Sequence, residues 1–322
     1  MMRMIQKMKN DFLTMIEQAD TIAITGHVRP DGDCVGSTVG LYNYIISNYD
    51  KQVQIYLEEF SKDFLFLHDA DKISHTSTDQ VYDLCIAVDC GDKERQGDFL
   101  PIFEHAKHTM CVDHHISNPG FGEVYYVDAE ACSAAEALYK LMEQDKINKN
   151  AAEALYMGIV HDTGVFKHSN TTKSAMSIAG DLIEKGANPS FIIDETFYKK
   201  TFVANKLLGI ALTKAEQHAD GRIISTVLET EDFRKSGAGK IDTDGIVDQL
   251  RITEGTETAV FIYQTGEDEY KISLRSNNIV DVSRISCNHG GGGHVRAAGF
   301  SMKGDIKEIL AGVIEEIKEQ LC

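Results

Sequence analysis

The sequence contains no tryptophan, few prolines (4) and fewer basic than acidic residues, 32 Lys and Arg against 50 Asp and Glu. The resulting formal charge of -18 excludes a surface built to grip long duplex nucleic acid, because release of counterions from a phosphate backbone requires a basic face. It leaves room for a small phosphorylated ligand held by a few local cations. No stretch approaches the roughly 20 consecutive apolar residues that span a bilayer, and the opening "MMRMIQKMKNDFLTMIEQAD" lacks the unbroken apolar core of a signal peptide. A cytoplasmic protein without membrane contact is expected. The 7 cysteines, Cys34, Cys85, Cys90, Cys111, Cys132, Cys287 and Cys322, include no C-x-x-C pair, so neither thiolate zinc nor redox chemistry is indicated and reduced thiols are expected.

What is present fits a globular chain, 43% hydrophobic and 25% charged, long enough at 322 residues for two domains. "TIAITGH", "VQIYLEE", "YDLCIAVDC" and "TMCVDHH" are short apolar or β-branched runs separated by helix-length segments. That alternation predicts an α/β first domain, a mostly parallel sheet flanked by helices. "GSTVGLYNYIISNY", "SAAEALYKLMEQ", "NAAEALYMGIVHDTG" and "TTKSAMSIAGDLIEKG" read as helices, the second opening on a capping box of Ser133 and Glu136. The rhythm breaks at "ANPSFIIDETFYKKTF". Beyond it, "GRIISTVLET", "ETAVFIYQTG" and "YKISLRS" read as strands and "DIKEILAGVIEEIKEQL" as an amphipathic helix. The expected layout is a catalytic domain over 1–187, a linker over 188–205 and a smaller α+β domain over 206–322, with the active site in the cleft between the two.

Ligands of parallel α/β sheets gather beyond the carboxyl ends of the strands. His27, Asp89 and Asp113 all fall at such ends. In "GHVRPDGDCVGS", Pro30 and Gly32 favour a tight loop that aims His27, Asp31 and Asp33 at a common point, although P-D-G-D is equally a solvated turn. "AVDCGD", "VDHH" and "GIVHDTG" each end an apolar segment in an acid, and a carboxylate there is expensive to desolvate without a partner or a cation. Asp31, Asp33, Asp89 and Asp162 in one place would repel one another, and two divalent cations would cancel their charge. Carboxylate and imidazole donors with no cysteine suit Mn2+ or a similar ion.

"HGGGGHVRAAGF" adds a glycine run whose backbone N–H groups, at Gly292 and Gly293, could form a concave anion site beside His294 and Arg296. Arg275 closes "YKISLRS". Asn170 and Thr171 in "KHSNTT" lie close in sequence to Asp162, where a helix N-cap at Thr171 or Thr172 is the plainer role. His68, His75, His105, His108 and His218 lie among polar residues without matching carboxylates, and His161 and His289 match no ligand position.

"GHVRPDGDCVGS", "AVDCGD", "VDHHISN", "GIVHDTG" and "GGGGHVRAAGF" occur in the order of the motifs of the DHH phosphoesterases with a C-terminal DHH-associated domain, which the chain resembles over nearly its whole length. The layout is most similar to the stand-alone members that degrade very short RNA and dephosphorylate 3'-phosphoadenosine 5'-phosphate (pAp). The resemblance implies that His27 and Asp31 bind one metal and Asp33, His114 and Asp162 the other, with Asp89 bridging. It implies that Asp113 supports this shell, that His115 faces the scissile phosphate, that Arg275 and His294 hold substrate phosphate, and that the stretch of Asn170 lines the substrate site. It also implies two divalent cations, Mn2+ foremost, a short oligoribonucleotide, pAp or dinucleotide as substrate, and a fold often found as a homodimer. A phosphodiesterase for cyclic or linear signalling dinucleotides (c-di-AMP, pApA) uses the same motifs. A nucleotide sensor without catalysis would be expected to lack a ligand, and no ligand type is missing.

Overall fold

The computed structural model describes residues 2–321, with side chains from residue 5 onward. The chain divides into two compact units, Met1–Lys199 and Lys200–Cys322. In the first, β1 (Thr21–Thr25), β2 (Gln52–Tyr56), β3 (Leu84–Val88), β4 (His108–Asp113) and β5 (Val124–Val127) form a sheet in the order β2-β1-β3-β4-β5, every pair parallel. The helices are α1 (Met2–Gln18), α2 (Gly32–Asn48), α3 (Leu100–His105), α4 (Ala134–Leu141), α5 (Lys149–Asp162), α6 (Lys173–Glu184) and α7 (Pro189–Ile193).

Both sheet faces are covered, which is why β3 is apolar at every position and wholly buried. Alternation sorts the side chains. Ile22, Ile24, Ile86 and Val88 join the large core with Phe12, Tyr44 and Leu155, whereas Ala23, Cys85 and Ala87 face a smaller core with Tyr56, Phe99 and Phe103. The strand order reverses direction between β1 and β3, and the crevice at that switch point is where parallel sheets present ligand groups.

Two glycines bring α2 and α5 together. A Cβ at Gly36 would stand 2.5 Å from the carbonyl oxygen of Ala154 and 2.8 Å from the backbone nitrogen of Gly158. The helices therefore meet backbone to backbone, with Asp33 in the first turn of α2 and Asp162 at the last position of α5. Ser133 caps α4 by accepting from the Glu136 N–H at 3.1 Å, but the Glu136 carboxylate accepts from the N–H of Cys132, not of Ser133, so only half of the expected box forms. Thr172 caps α6. The stretch 188–205 is largely helical: Asn188 caps α7, Ile192 is fully buried, and a π-helical turn spans Asp194–Tyr198.

The second unit comprises α8 (Phe202–Thr213), β6 (Glu216–His218), β7 (Ile223–Leu228), α9 (Thr230–Ser236), α10 (Ile246–Arg251), β8 (Thr258–Gly266), β9 (Glu269–Ser276), α11 (Val282–Asn288), β10 (Gly292–His294), β11 (Ala297–Lys303) and α12 (Ile306–Leu321). Its sheet runs β10-β11-β9-β8-β7-β6, with β7 and β8 parallel and the other pairs antiparallel. Strict burial alternation along β9 reflects one core-facing side. Among the described residues, no helix is long and apolar enough to cross a membrane. Cys34, Cys85, Cys90, Cys111, Cys132 and Cys287 are free thiols, and Cys322 lies outside the described residues.

Candidate metal centre

The first unit gathers its candidate ligands at the carboxyl ends of β1, β3 and β4. His27 follows β1 and is 5% exposed. Its Nδ1 lies 2.9 Å from the carbonyl oxygen of Val28, which fixes the ring and turns Nε2 toward Asp89 Oδ2 at 3.5 Å and Asp31 Oδ1 at 3.7 Å. Asp89 follows β3 with φ of 61°, a left-handed conformation uncommon outside glycine, and its Oδ1 is buried without a hydrogen-bond partner. His114, just past β4, places Nε2 3.2 Å from Asp162 Oδ2, 3.4 Å from Asp89 Oδ1 and 3.9 Å from Asp33 Oδ2.

These separations decide what the cluster is suited to hold. Most exceed the about 2.7–3.2 Å of a good N–H···O bond. Donors bound at about 2.0–2.3 Å to one tetrahedral ion stand roughly 3.3–3.8 Å apart. The set His27, Asp89, Asp33, His114 and Asp162 therefore fits cations shared between donors better than it fits hydrogen bonds. The orphaned Oδ1 of Asp89, 3.4 Å from His114 Nε2 and 3.6 Å from His115 Nδ1, gives the same indication.

The titration behaviour follows from crowding. Burial pushes the Asp162 carboxyl up, Asp89 adds to the effect, and its pKa rises to about 7. Asp33 is raised still more clearly, by its complete burial first and then by Asp89 and Asp162. Burial opposes a charged ring at His27 and His114, yet the carboxylates around them outweigh it and lift each to about 10. The cluster thus attracts positive charge strongly. Asp31 differs. Exposed at the helix start, it caps α2 through the N–H groups of Asp33 and Cys34, and despite partial desolvation its pKa falls to about 2 beside His27.

Asp113 is fully buried and acts as a hub. Its Oδ1 accepts from the backbone N–H of His114 at 2.8 Å and lies 2.8 Å from Nδ1 of His115, while Oδ2 accepts from Asn118 at 2.6 Å. Asn118 also donates to the Cys90 carbonyl at 2.9 Å, strapping the end of β4 to the end of β3. Held this way, His115 leaves Nε2 for a ligand. Burial disfavours charge on Asp113, but His115 and Asn118 hold its carboxyl below the usual range; His115 itself is raised, chiefly by Asp113.

Several groups were not legible from the sequence. Asn118, in "ISNPG", reads as a turn former, yet it fixes Asp113. The sequence reading counted no cysteine donor, whereas Cys34 Sγ, with one ligand atom each of His27 and Asp89, forms a set mutually within 4.8 Å. The only signal was its place in the first turn of α2. Asn170 donates to the carbonyls of Asp162 and Cys132, at 3.1 and 3.2 Å, so its donors position backbone instead of being offered to substrate. His161 packs its ring against Gly32, where a Cβ would lie 2.1 Å away, and burial lowers its pKa to about 4.

The second unit aligns its own candidates. Arg275 on β9 pairs in register with Ala297 on β11, which pairs with His294 on β10, so the two side chains stand in one row on one face. Arg275 Nε lies 3.4 Å from Asp248 Oδ1, and Arg296 donates to the Val280 carbonyl at 3.0 Å. Of the glycine run, Gly292 and Gly293 belong to β10, at the sheet edge. Close packing explains part of it, since a Cβ at Gly291 would meet the Gly299 carbonyl oxygen at 2.4 Å and one at Gly293 the Ala297 carbonyl oxygen at 2.5 Å.

A parallel sheet with acid and imidazole donors at its switch point, followed by a mixed-sheet unit, is the architecture of a two-domain phosphoesterase. The chain belongs to the DHH family: residues 21–159 match the DHH family, N-terminal domain, and residues 220–319 match the DHHA1 domain. It is 28% identical over 300 residues to the bifunctional oligoribonuclease and PAP phosphatase NrnA of Bacillus subtilis, covering 92% of this chain and 93% of the relative. It is likewise 28% identical over 308 residues to the NrnA of Thermus thermophilus, covering 93% and 90%. In fold it resembles an exopolyphosphatase-related protein from Bacteroides fragilis, with a TM-score of 0.82 at 23% identity over 98% of this chain and 96% of the other.

Proposed function

We propose that this protein is a cation-dependent phosphodiesterase of the cytoplasm that hydrolyses very short oligoribonucleotides to mononucleotides and removes a phosphate from pAp. One observation carries the reading: His27, Asp33, Asp89, His114 and Asp162 meet at separations of 3.2–3.9 Å around a buried oxygen without a partner. The names of the relatives at 28% identity support the substrate class.

His27 and Asp31 would hold one divalent ion and Asp33, His114 and Asp162 the second, with Asp89 shared between the two sets. The carboxylate and imidazole donors of this set favour Mn2+. When bound, such a pair supplies an activated water and neutralises charge on the phosphoryl oxygens. Asp113 holds the Nδ1 proton of His115 and so presents Nε2, which stabilises the phosphoryl charge or protonates the leaving oxygen. Asn118 and Asn170 keep Asp113 and Asp162 in place. In the second unit, Arg275 and His294 bind a substrate phosphate beside Gly292 and Gly293, whose N–H groups alternate between β11 and the open edge of the sheet.

The test is a set of parallel assays with Mn2+ on a two-nucleotide RNA, a five-nucleotide RNA, pAp, linear pApA and cyclic c-di-AMP. Turnover of the dinucleotide RNA and pAp with little on c-di-AMP is expected. Preferred turnover of the cyclic dinucleotide would overturn the substrate assignment, and full activity after exhaustive chelation would overturn the cation dependence.

A further inference from the structure

Cys34 is the buried nucleophile that the proposed reaction does not use. Its side chain is fully buried in the first turn of α2. Gly26 makes room for it: a Cβ there would lie 2.4 Å from Sγ. The sulfur is therefore packed against the chain that carries His27. It shares a mutual 4.8 Å neighbourhood with His27 and Asp89, all three buried.

The second half of the cluster, Asp33, His114 and Asp162, offers only oxygen and nitrogen. The two halves are chemically unequal. Thiolate donors select zinc, cadmium and cobalt over manganese, whereas carboxylate and imidazole do not. Asp89, 2% exposed, stands between the halves: it turns Oδ2 toward His27 at 3.5 Å and Oδ1, which lacks any partner, toward His114 at 3.4 Å.

We propose that the His27 half of the centre is a mixed nitrogen, sulfur and oxygen site in which Cys34 ligates a thiophilic divalent ion, so that zinc or cadmium displaces Mn2+ from this half and not from the other. This rests on the two-cation reading above and adds to it a preference between the halves. A metal-bound cysteine is a thiolate, so ligation releases a proton. An outer-shell group is commonly worth about 10–100-fold in metal affinity. Loss of a direct sulfur ligand should then lower cadmium affinity by at least about tenfold and change Mn2+ affinity much less.

The experiment is titration of the full-length protein with Co2+ and Cd2+, followed by ultraviolet sulfur-to-metal charge-transfer absorption, with bound ions counted by equilibrium dialysis. A band is expected in the unsubstituted protein and in Cys287→Ser, and its loss in Cys34→Ser and Cys34→Ala, with thermal unfolding confirming that the variants fold. Ions bound in a His27-dependent manner without any such band, or a band that survives in both Cys34 variants, would overturn the sulfur ligand while leaving the two-cation reading intact. If neither Mn2+ nor Co2+ binds in a manner sensitive to His27→Ala and Asp89→Asn, both fall together.

Discussion

Gly158 offers a test in which two ordinary rules point in opposite directions. It sits inside α5, where replacing glycine with alanine normally stabilises a helix by about 0.5–1 kcal/mol through reduced backbone entropy. Here an added Cβ would lie 2.5 Å from Asp33 Oδ1 and 2.8 Å from the Ala135 Cβ. Both partners are pinned. Asp33 is fully buried, with Oδ2 accepting from Ala134 N–H at 2.6 Å and Oδ1 from Ala135 N–H at 3.1 Å. Overpacking of this kind commonly costs about 1–3 kcal/mol. The difference leaves Gly158→Ala destabilised by about 1 kcal/mol, roughly 2–4 °C in melting temperature for a unit of this size. Displacing Asp33 should also weaken Mn2+ binding by about tenfold or more. Gly180 is the control: it lies in α6, exposed, with nothing within 4 Å of its Cβ position, so Gly180→Ala should raise stability by about 0.5–1 kcal/mol and leave Mn2+ affinity unchanged. Differential scanning fluorimetry and Mn2+ titration on the two variants decide the matter. If Gly158→Ala is as stabilising as Gly180→Ala, with normal Mn2+ affinity, Asp33 is not confined as described.

Further outcomes follow from the same geometry. Asp89→Asn keeps a residue that tolerates positive φ but removes the charge between the two halves, and should lower both Mn2+ affinity and turnover at least about a hundredfold; normal steady-state rates would remove Asp89 from the centre. Asn118→Ala leaves every direct ligand in place yet frees Asp113, and an outer-shell loss of about 10–100-fold in activity is expected, read as a fall in kcat on the dinucleotide RNA. Glu136 is buried and held below the usual carboxyl range, because the Cys132 N–H, Lys140 and Ser174 outweigh desolvation. A carboxyl whose folded pKa is depressed stabilises above its unfolded value and loses that contribution as pH falls through the folded one. Glu136→Gln should thus be less stable than the parent at neutral pH, with the gap in melting temperature closing on acidification below about pH 4; a gap constant with pH would contradict the assignment.

The first unit was legible because its chemistry sits where the chain changes character. His27, Asp89 and Asp113 each end an apolar strand, and a buried sheet makes such endings conspicuous: an acid after "LCIAV" is costly unless something compensates for it. The parallel sheet, its helices and the acid-imidazole cluster all follow from that contrast. Asn118 and Cys34 give no comparable signal. Asn in "SNPG" is indistinguishable from a turn residue, and a cysteine beside "PDGD" acquires meaning only once Gly26 lets the sulfur approach β1. In the second unit, four consecutive glycines suggested a concave anion site, because glycine lets backbone N–H groups approach an anion closely. Backbone crowding explains part of the run, since Gly291 and Gly293 abut the carbonyls of β11. The consequence reaches function: Gly292, Gly293 and His294 lie on an edge strand with fixed register, and that register, not loop flexibility, places His294 in the same row as Arg275. On the proposed phosphate assignment, groups held by strand pairing have little freedom to lose on binding, so Gly293→Ala should weaken binding of pAp, read by equilibrium titration, through the sheet's geometry even though glycine itself contributes no side chain to the ligand.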